Sequence, residues 1–365
     1  MTRIGIIGAG QLGRMLALAG YPLGLRFVFL DKSEDAPGGQ VGDIILGEFS
    51  DPAKLAELAA RVDVVTFDVE NVPAEAVRRG LGDRTPFWPP VTALAAAQDR
   101  LHEKDTFRRS GIPTPDYRAV DSMLDLERAV QEIGYPAVLK TRRMGYDGKG
   151  QRVIRSPADL GAAFNAIGGV PLILESFVPF EREVSIIGVR STRGETRCYP
   201  LAENEHRDGI LRVSFAPCED SALQALAEDY LQRLFEAFDY AGVLTIEFFV
   251  HGGRLLANEM APRVHNSGHW TIEGAATSQF ENHVRAILGL PLGDTRPLGY
   301  AAMVNFIGSL PPLAAVLGIA GAHYHSYGKE PRPGRKLGHC TLLADDRREL
   351  AQRVAALQAL AGTGG

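Results

Sequence analysis

The chain has 365 residues, 45% of them hydrophobic and 23% charged, with a formal net charge of −5. That length exceeds one ordinary core and suggests two or three domains, while an acidic balance without a lysine tract argues against nucleic-acid binding and points to a small ligand. Cys198, Cys218 and Cys340 stand far apart with no CxxC and no zinc-finger spacing, and no run of 18 apolar residues occurs, so a disulfide framework, a structural zinc and a membrane span are not indicated and a cytoplasmic protein is expected.

An apolar strand over residues 3–7 runs into Gly8-Ala9-Gly10-Gln11-Leu12-Gly13, the GxGxxG spacing, which opens a helix reaching about residue 20. A second strand, 26–30, ends at Asp31, where a dinucleotide fold places the acid that holds a ribose hydroxyl. Alone, this suggests an NAD-linked oxidoreductase. The physics is less selective, because glycines and a helix N-terminus accept any phosphate. Strand 44–46, helix 52–61, strand 62–67 and helix 73–79 continue an open parallel α/β sheet, whose ligands sit at the carboxyl ends of the strands. Asp68, Glu70 and Asn71 lie at such an end, although Asn71 is equally suited to cap the next helix. A first boundary is expected near residue 90, before a charged helix from Gln98 to Arg109.

Helix 124–133 precedes a strand, 135–140, tipped by Lys140, a candidate phosphate ligand. Gly145-Tyr146-Asp147-Gly148-Lys149-Gly150-Gln151 follows, a backbone-rich loop suited either to folding over phosphates or to a plain hairpin. It is not a Walker A loop: Arg143 stands where that motif needs its first glycine, and Gly150 where it needs Ser or Thr. Strand 172–177 carries Glu175, and Glu181 and Glu183 precede strand 184–189; these acids are candidates for an adenine amino group and ribose hydroxyls. His206 closes a polar stretch and by itself reads as structural, before a helix over 221–238.

Residues 244–270 are the most informative. Two arms, 244–250 and 254–260, flank turn chemistry at His251-Gly252-Gly253, and each carries one glutamate, Glu247 and Glu259. A three-residue loop would set the two directly opposite; a two-residue loop would separate them. Facing carboxylates about 4 Å apart repel by roughly 4 kcal/mol at an effective dielectric near 20, so such a pair calls for a cation. Oxygen ligation suits Mg2+ together with nucleotide phosphates, with Asn258 alongside. Arg263, His265, Asn266, Ser267 and His269 then make the following loop an anion's environment. A helix over 280–288 and a linker over 291–297 lead to strand 302–307 and to Lys329, Arg332, Arg335 and Lys336, stiffened by Pro331 and Pro333, which form either an anion site or a solvated turn. A terminal helix starts near Asp346.

GAGQLGRM at 8–15, GYDGKGQ at 145–151, NEMAPRVHNSGHW at 258–270 and RPGRKLGH at 332–339 together resemble the N5-carboxyaminoimidazole ribonucleotide synthetases, ATP-grasp enzymes of purine biosynthesis. The resemblance spans nearly the whole chain, with one small departure, Asp68-Val69-Glu70-Asn71 in place of Glu-Phe-Glu-Asn. It implies an N-terminal parallel α/β domain (1–90), a central ATP-grasp domain (91–296) and a small β-rich C-terminal domain (297–365). It also implies ATP, bicarbonate and 5-aminoimidazole ribonucleotide as substrates, Mg2+ or Mn2+ as metal, and a homodimer.

Carried over by position, Arg100, Lys140, Gly145 to Gln151, Glu175, Ser176, Phe177, Val178, Glu183, His206, Asn258 and Glu259 would contact ATP, and Glu247 and Glu259 the metal. The ribonucleotide would meet Gln11, Leu12, Glu70, Asn71, Tyr146, Asp147, Arg263, Asn266, Ser267, Lys329, Arg332, Arg335 and Lys336. Lys140 would supply positive charge, Arg263 with His265 or His269 would lie near bicarbonate, and Asp147 would orient the attacking amine or take its proton. The rivals are a formate-dependent ribonucleotide transformylase or biotin-dependent carboxylase on the same fold, the NAD-linked oxidoreductase, and an inactive nucleotide-binding module.

Overall fold

The computed structural model describes residues 1–82, 84–145 and 148–362. Its first unit comprises β1 (Arg3–Ile7), α1 (Gln11–Gly20), β2 (Arg26–Asp31), β3 (Asp43–Leu46), α2 (Pro52–Ala59), β4 (Val64–Phe67) and α3 (Ala74–Leu81). The strands form the expected parallel sheet, in the order β3-β2-β1-β4. Unbroken apolar runs in β1, β2 and β4 are buried, as a sheet covered on both faces requires. Asp51 caps α2 through its side chain, with Pro52 at the first helical position. Pro73, not Asn71, precedes α3, so the capping role open to Asn71 is unused.

Helices α4 (Val91–Ala97) and α5 (Arg100–Arg109) lead onward. The first was not expected: an alanine-rich turn after Pro90, without a side-chain cap, carries little signal. The next unit runs β5 (Tyr117–Val120), α6 (Met123–Ile133), β6 (Ala137–Thr141), β7 (Gln151–Ile154), α7 (Leu160–Ile167) and β8 (Leu172–Ser176). Its antiparallel sheet has the order β5-β8-β6-β7, and α6 and α7 contribute to its core. Lys140 pairs with Gln151, so the glycine loop is the link of a hairpin.

The large sheet begins with β9 (Arg182–Arg190), β10 (Thr196–Cys198), β11 (Ala202–Arg207) and β12 (Ile210–Ala216). It takes in β13 (Gly242–His251) and β14 (Arg254–Ala261) after α8 (Ser221–Phe238), and α9 (Thr271–Gly274) and α10 (Gln279–Ile287) follow. The C-terminal segment holds β15 (Tyr300–Ile307), α11 (Leu313–Leu317), β16 (Ala322–Ser326), β17 (Lys336–Ala344) and α12 (Arg347–Gly362). This segment is β-rich as expected, yet its strands join the large sheet, ordered β14-β13-β9-β11-β12-β15-β17-β16 with β10 beside β9. Val213 of β12 pairs with Val304 of β15, so one ladder runs from the carboxylate hairpin to the basic C-terminal loop.

Helix α8, capped by Asp220, buries Leu223, Ala227, Tyr230, Leu231, Leu234 and Phe235 in one core with Ile186, Ile246 and Phe248. The glycine of β9 that faces it, Gly188, admits the leucine: a Cβ there would lie 2.7 Å from Leu231 Cδ1. The core that contains α1 and α10 holds Leu16, Val284 and Trp270. No helix among the described residues is long and apolar enough to cross a membrane, and all three cysteines are free. Replacing the fully buried Leu231 by alanine is expected to lower stability by about 2–5 kcal/mol, measured by urea denaturation, because the cavity is lined by neighbours that cannot collapse into it.

Candidate active site

Strands β13 and β14 turn through two residues, Gly252 and Gly253, at φ of 56° and 71°, because His251 pairs with Arg254. On a regular ladder such a turn sets Glu247 opposite Asn258 and sends Glu259 to the other face, the separation foreseen for a two-residue loop. The structure departs from that ladder. Phe248 faces Ala257 while Glu247 faces Glu259, so Asn258 is the extra residue of a β-bulge. The carboxylates therefore do pair, through a bulge rather than through a three-residue loop. The sequence cue was Asn258 itself, a poor strand former inside an otherwise strand-like arm.

Helix α5 supplies what surrounds the pair. Arg100 Nη1 stands 3.4 Å from Glu259 Oε2. Lys104, wholly buried, donates to Ala257 O at 3.0 Å and Asn258 O at 2.6 Å, and lies 3.6 Å from Glu175 Oε2. Glu103 Oε1 accepts the Met260 N–H at 2.7 Å. Lys140, at the end of β6, reaches Glu175 Oε2 at 2.8 Å. Burial alone would raise the Glu175 carboxyl, but Lys104, Lys140 and Arg100 outweigh it and hold it at about 2. Glu259 is likewise held below the usual range: desolvation raises it, and Arg100, Lys140 and Lys104 prevail. Glu247 goes the other way, pushed up by burial and then by Glu259. Glu103 and Lys104 were missed because a helix reading RLHEKDTFRR has no apolar stripe and looks solvated.

On the nucleotide side, the lysines take Glu175 Oε2 and leave its Oε1 a buried acceptor without a partner, and Glu181 accepts the Gly252 N–H at 2.8 Å. The Ser176 hydroxyl accepts the Asp116 N–H at 3.0 Å, and the Ser176 and Phe177 N–H groups donate to Asp116 O and Pro136 O. Glu183 Oε1 lies 3.2 Å from His206 Nδ1; burial lowers that imidazole, but Glu183, Glu247 and Glu259 hold it above its ordinary value. The glycine loop meets this region at Gly148. Gly148, at φ 73°, packs so closely on the β11–β12 turn that a Cβ would sit 2.9 Å from Asp208 O. Gly145, Lys149, Gly150 and Gln151 belong to the same loop; Tyr146 and Asp147 lie outside the described residues.

Arg263 Nη2 bonds Glu70 Oε2 at 2.8 Å. His265 Nε2 lies 3.4 Å from Glu247 Oε1, and its Nδ1 meets Ser267 Oγ at 2.9 Å. Burial, then Arg263 and Lys336, push His265 well below its ordinary value, so it is neutral. Two expectations are corrected. Ser267 is fully buried, bonded to His265 and to Ser185 Oγ at 2.8 Å, so it supports the imidazole instead of meeting substrate. His269 is buried against Phe280 and His339, withdrawn from any bicarbonate. Asn266 is engaged with Asn305 in a reciprocal amide pair, 3.0 and 2.8 Å.

Lys329 donates to Gln11 Oε1, and Arg14 Nη1 reaches Ser326 O at 2.9 Å, so the basic C-terminal loop docks on the start of α1. Burial, and next Arg335, lower the Lys329 ammonium to about 8, with Lys336 acting in the same sense. Leu12 is buried and offers only backbone there; Asn71 and Arg332 are exposed. Asp31 is not free for a ribose: it accepts the N–H groups of Ala9, at 2.7 Å, and Ser33, at 3.0 Å.

The paired carboxylates fit a hard divalent ion. Beside them Asn258 Oδ1 is a buried acceptor without a partner. Among the described residues no group of three or more His, Cys, Asp or Glu side chains is arranged to hold a metal alone. An ion here would therefore complete its shell with phosphate oxygens and water, the habit of Mg2+.

A lysine and a glycine loop on one antiparallel sheet, brought against paired carboxylates on another, define an ATP-grasp protein, and the ATP-grasp domain model matches residues 105–280. The flanks match a ribonucleotide synthetase preATP-grasp domain over 1–98 and a phosphoribosylaminoimidazole carboxylase C-terminal domain over 301–353. The chain belongs to the N5-carboxyaminoimidazole ribonucleotide synthase family. It is 55% identical to the Pseudomonas aeruginosa protein of that name, covering 98% of this chain and 99% of that one. The crystal structure of the Thermus thermophilus synthetase superposes with a TM-score of 0.94 at 56% identity, covering 98% of both chains. An Aspergillus clavatus synthase in complex with ADP and 5-aminoimidazole ribonucleotide does so at 0.93 and 30% identity, covering 99% of both.

Because Glu175 is depressed from 4.5 to about 2, its contribution to stability is present above pH 4.5 and fades as pH falls toward 2. Glu175→Gln, which leaves two buried lysines short of an anion, is expected to cost about 3–5 kcal/mol at pH 7. Urea denaturation of both proteins across pH should show a constant gap down to about 4.5 that narrows below it.

Proposed function

We propose that the chain carboxylates 5-aminoimidazole ribonucleotide to N5-carboxyaminoimidazole ribonucleotide, using ATP and bicarbonate and releasing ADP and phosphate. The observation that carries this reading is the Glu247–Glu259 pairing beside Arg100 and Lys140, a seat for terminal phosphates within the family's fold. Bicarbonate is a poor electrophile; phosphoryl transfer from ATP gives carboxyphosphate, with a leaving group, and the exocyclic amine then takes the carboxyl and expels phosphate. Positioning and charge neutralisation provide most of such catalysis.

Glu247, Glu259 and Asn258 would hold Mg2+, which supplies charge neutralisation at the phosphates when bound. Lys140 and Arg100 add fixed positive charge. Arg263, oriented by Glu70, and the neutral His265 face the position assigned to bicarbonate. The ribonucleotide phosphate falls to Lys329, Arg335, Lys336 and the backbone at Gln11 and Leu12. Asp147 remains the proposed partner of the amine. Bicarbonate as third substrate, the metal, a homodimeric assembly and a cytoplasmic location belong to the same proposal and rest on the family resemblance. The oxidoreductase alternative loses support because Asp31 is already engaged by backbone.

The deciding assay measures phosphate release from ATP and bicarbonate with and without 5-aminoimidazole ribonucleotide. Stimulation is expected, and equal release with formate in place of bicarbonate, or with biotin in place of the ribonucleotide, would overturn the reading. Glu259→Gln should lower kcat by about 10²-fold or more, by loss of charge complementary to the metal. Gly148→Pro cannot keep φ at 73°, so the loop loses its seat on Asp208 and ATP is hydrolysed without carboxylation; coupling close to one product per ADP in this variant would refute a shielding role.

A further inference from the structure

We propose that Glu103 and Lys104, adjacent residues on α5, are positioning residues: they clamp the Asn258 bulge and so hold Glu259 opposite Glu247. The inference rests on these carboxylates being the metal seat.

Strand β14 is the last strand at its end of the large sheet, so its outward backbone groups have no strand partner. A bulge leaves further groups unpaired, and an unmatched residue at an edge is free to slip by one, which would reverse every side chain beyond it. Here the outward groups are taken individually. Lys104 Nζ bonds both Ala257 O and Asn258 O, Glu103 Oε1 takes the Met260 N–H, and Pro113 O takes the Ala257 N–H at 2.8 Å. The clamp therefore grips the strand on both sides of Asn258.

Neither side chain is placed to touch substrate, since Lys104 is 0% and Glu103 2% exposed. Burying a Lys and a Glu is costly unless both are fully engaged, and these are engaged by backbone and by Glu175. A mere helix anchor would need no polar side chain at either position. Two consecutive buried polar side chains, Lys104 gripping carbonyls and Glu103 an N–H, define register.

The test compares Lys104→Met, Glu103→Leu and Glu103→Gln with the wild-type protein. Mn2+ binding is titrated by electron paramagnetic resonance in the presence of ADP, ADP affinity is measured without metal, and amide hydrogen exchange is followed over residues 255–261. Lys104→Met and Glu103→Leu are expected to weaken Mn2+ binding about 10- to 100-fold, the range seen when groups that orient metal ligands are removed. Exchange over 255–261 should quicken, while metal-free ADP affinity stays within about twofold, and Glu103→Gln, which keeps an acceptor for Met260, should retain Mn2+ affinity within about twofold of wild type. Glu103→Leu leaves Lys104 paired, so it decides the matter if Lys104→Met does not fold. Unchanged Mn2+ affinity with unchanged exchange in folded Glu103→Leu overturns the clamp. If the wild-type protein binds no Mn2+ beside ADP, the metal reading fails, and the exchange results alone then decide for or against the clamp.

Discussion

Two carboxylates on one face of a hairpin repel, and much of this molecule serves to keep them there. Arg100, Lys104 and Lys140 hold Glu175 and Glu259 below the usual carboxylate range, while burial pushes the Glu103 carboxyl up to about 8. Glu247 is not held down in this way. The imidazole beside it, His265, is neutral, and Glu247 alone of the facing pair has its carboxyl raised. A cation at this hairpin would relieve the repulsion between the two carboxylates. Breaking any one cation out of the cluster exposes the others to uncompensated burial, which is why the pair and its surroundings behave as a unit.

The large sheet extends this constraint to the rest of the chain. From His265, a line of hydrogen bonds passes through Ser267, Ser185, Asn204 and Ser214, stepping across β9, β11 and β12. Ser214 pairs with Met303 of β15, and β15 pairs with β17, which begins at Lys336. Lys329 then closes the circuit on Gln11, 318 residues earlier in the chain. All three segments of the chain therefore meet around one cleft, and a shift of register at the carboxylate hairpin is resisted along most of the sheet's width.

Much of this was legible. The parallel sheet followed from apolar runs alternating with helices, the helix over 221–238 was expected with the bounds α8 shows, and Lys140, Glu247 and Glu259 were read from their places on strands. Strands β11 and β12 were not legible, because AENEHR of β11 carries polar or charged residues in succession from Glu203 to Arg207 and reads as a polar loop. The bulge was hidden for a different reason: its register depends on α5, more than 150 residues earlier in sequence, and no local pattern encodes that contact. Ser267 and His269 were assigned to substrate because polar residues in a loop suggest ligands; the contacts that turn them inward are hydrogen bonds from β9 and α10 and the His339 ring of β17, which only the fold brings near.

The glycine signature shows how one local motif can serve a different end. In a dinucleotide site the glycines leave room for a pyrophosphate at the helix N-terminus. Here the space is filled from within: a Cβ on Gly8 would lie 1.8 Å from Asp68 Oδ1, Gly10 and Gly13 face the same carboxylate, and the Gly13 N–H donates to Asp68 Oδ2 at 3.0 Å. Burial pushes the Asp68 carboxyl up to about 6 despite that bond, and its Oδ1 has no partner. Asp68 lies beneath the loop, buried against these glycines. The same glycines that would admit a dinucleotide here make room for the chain's own carboxylate, which fills the place a pyrophosphate would take.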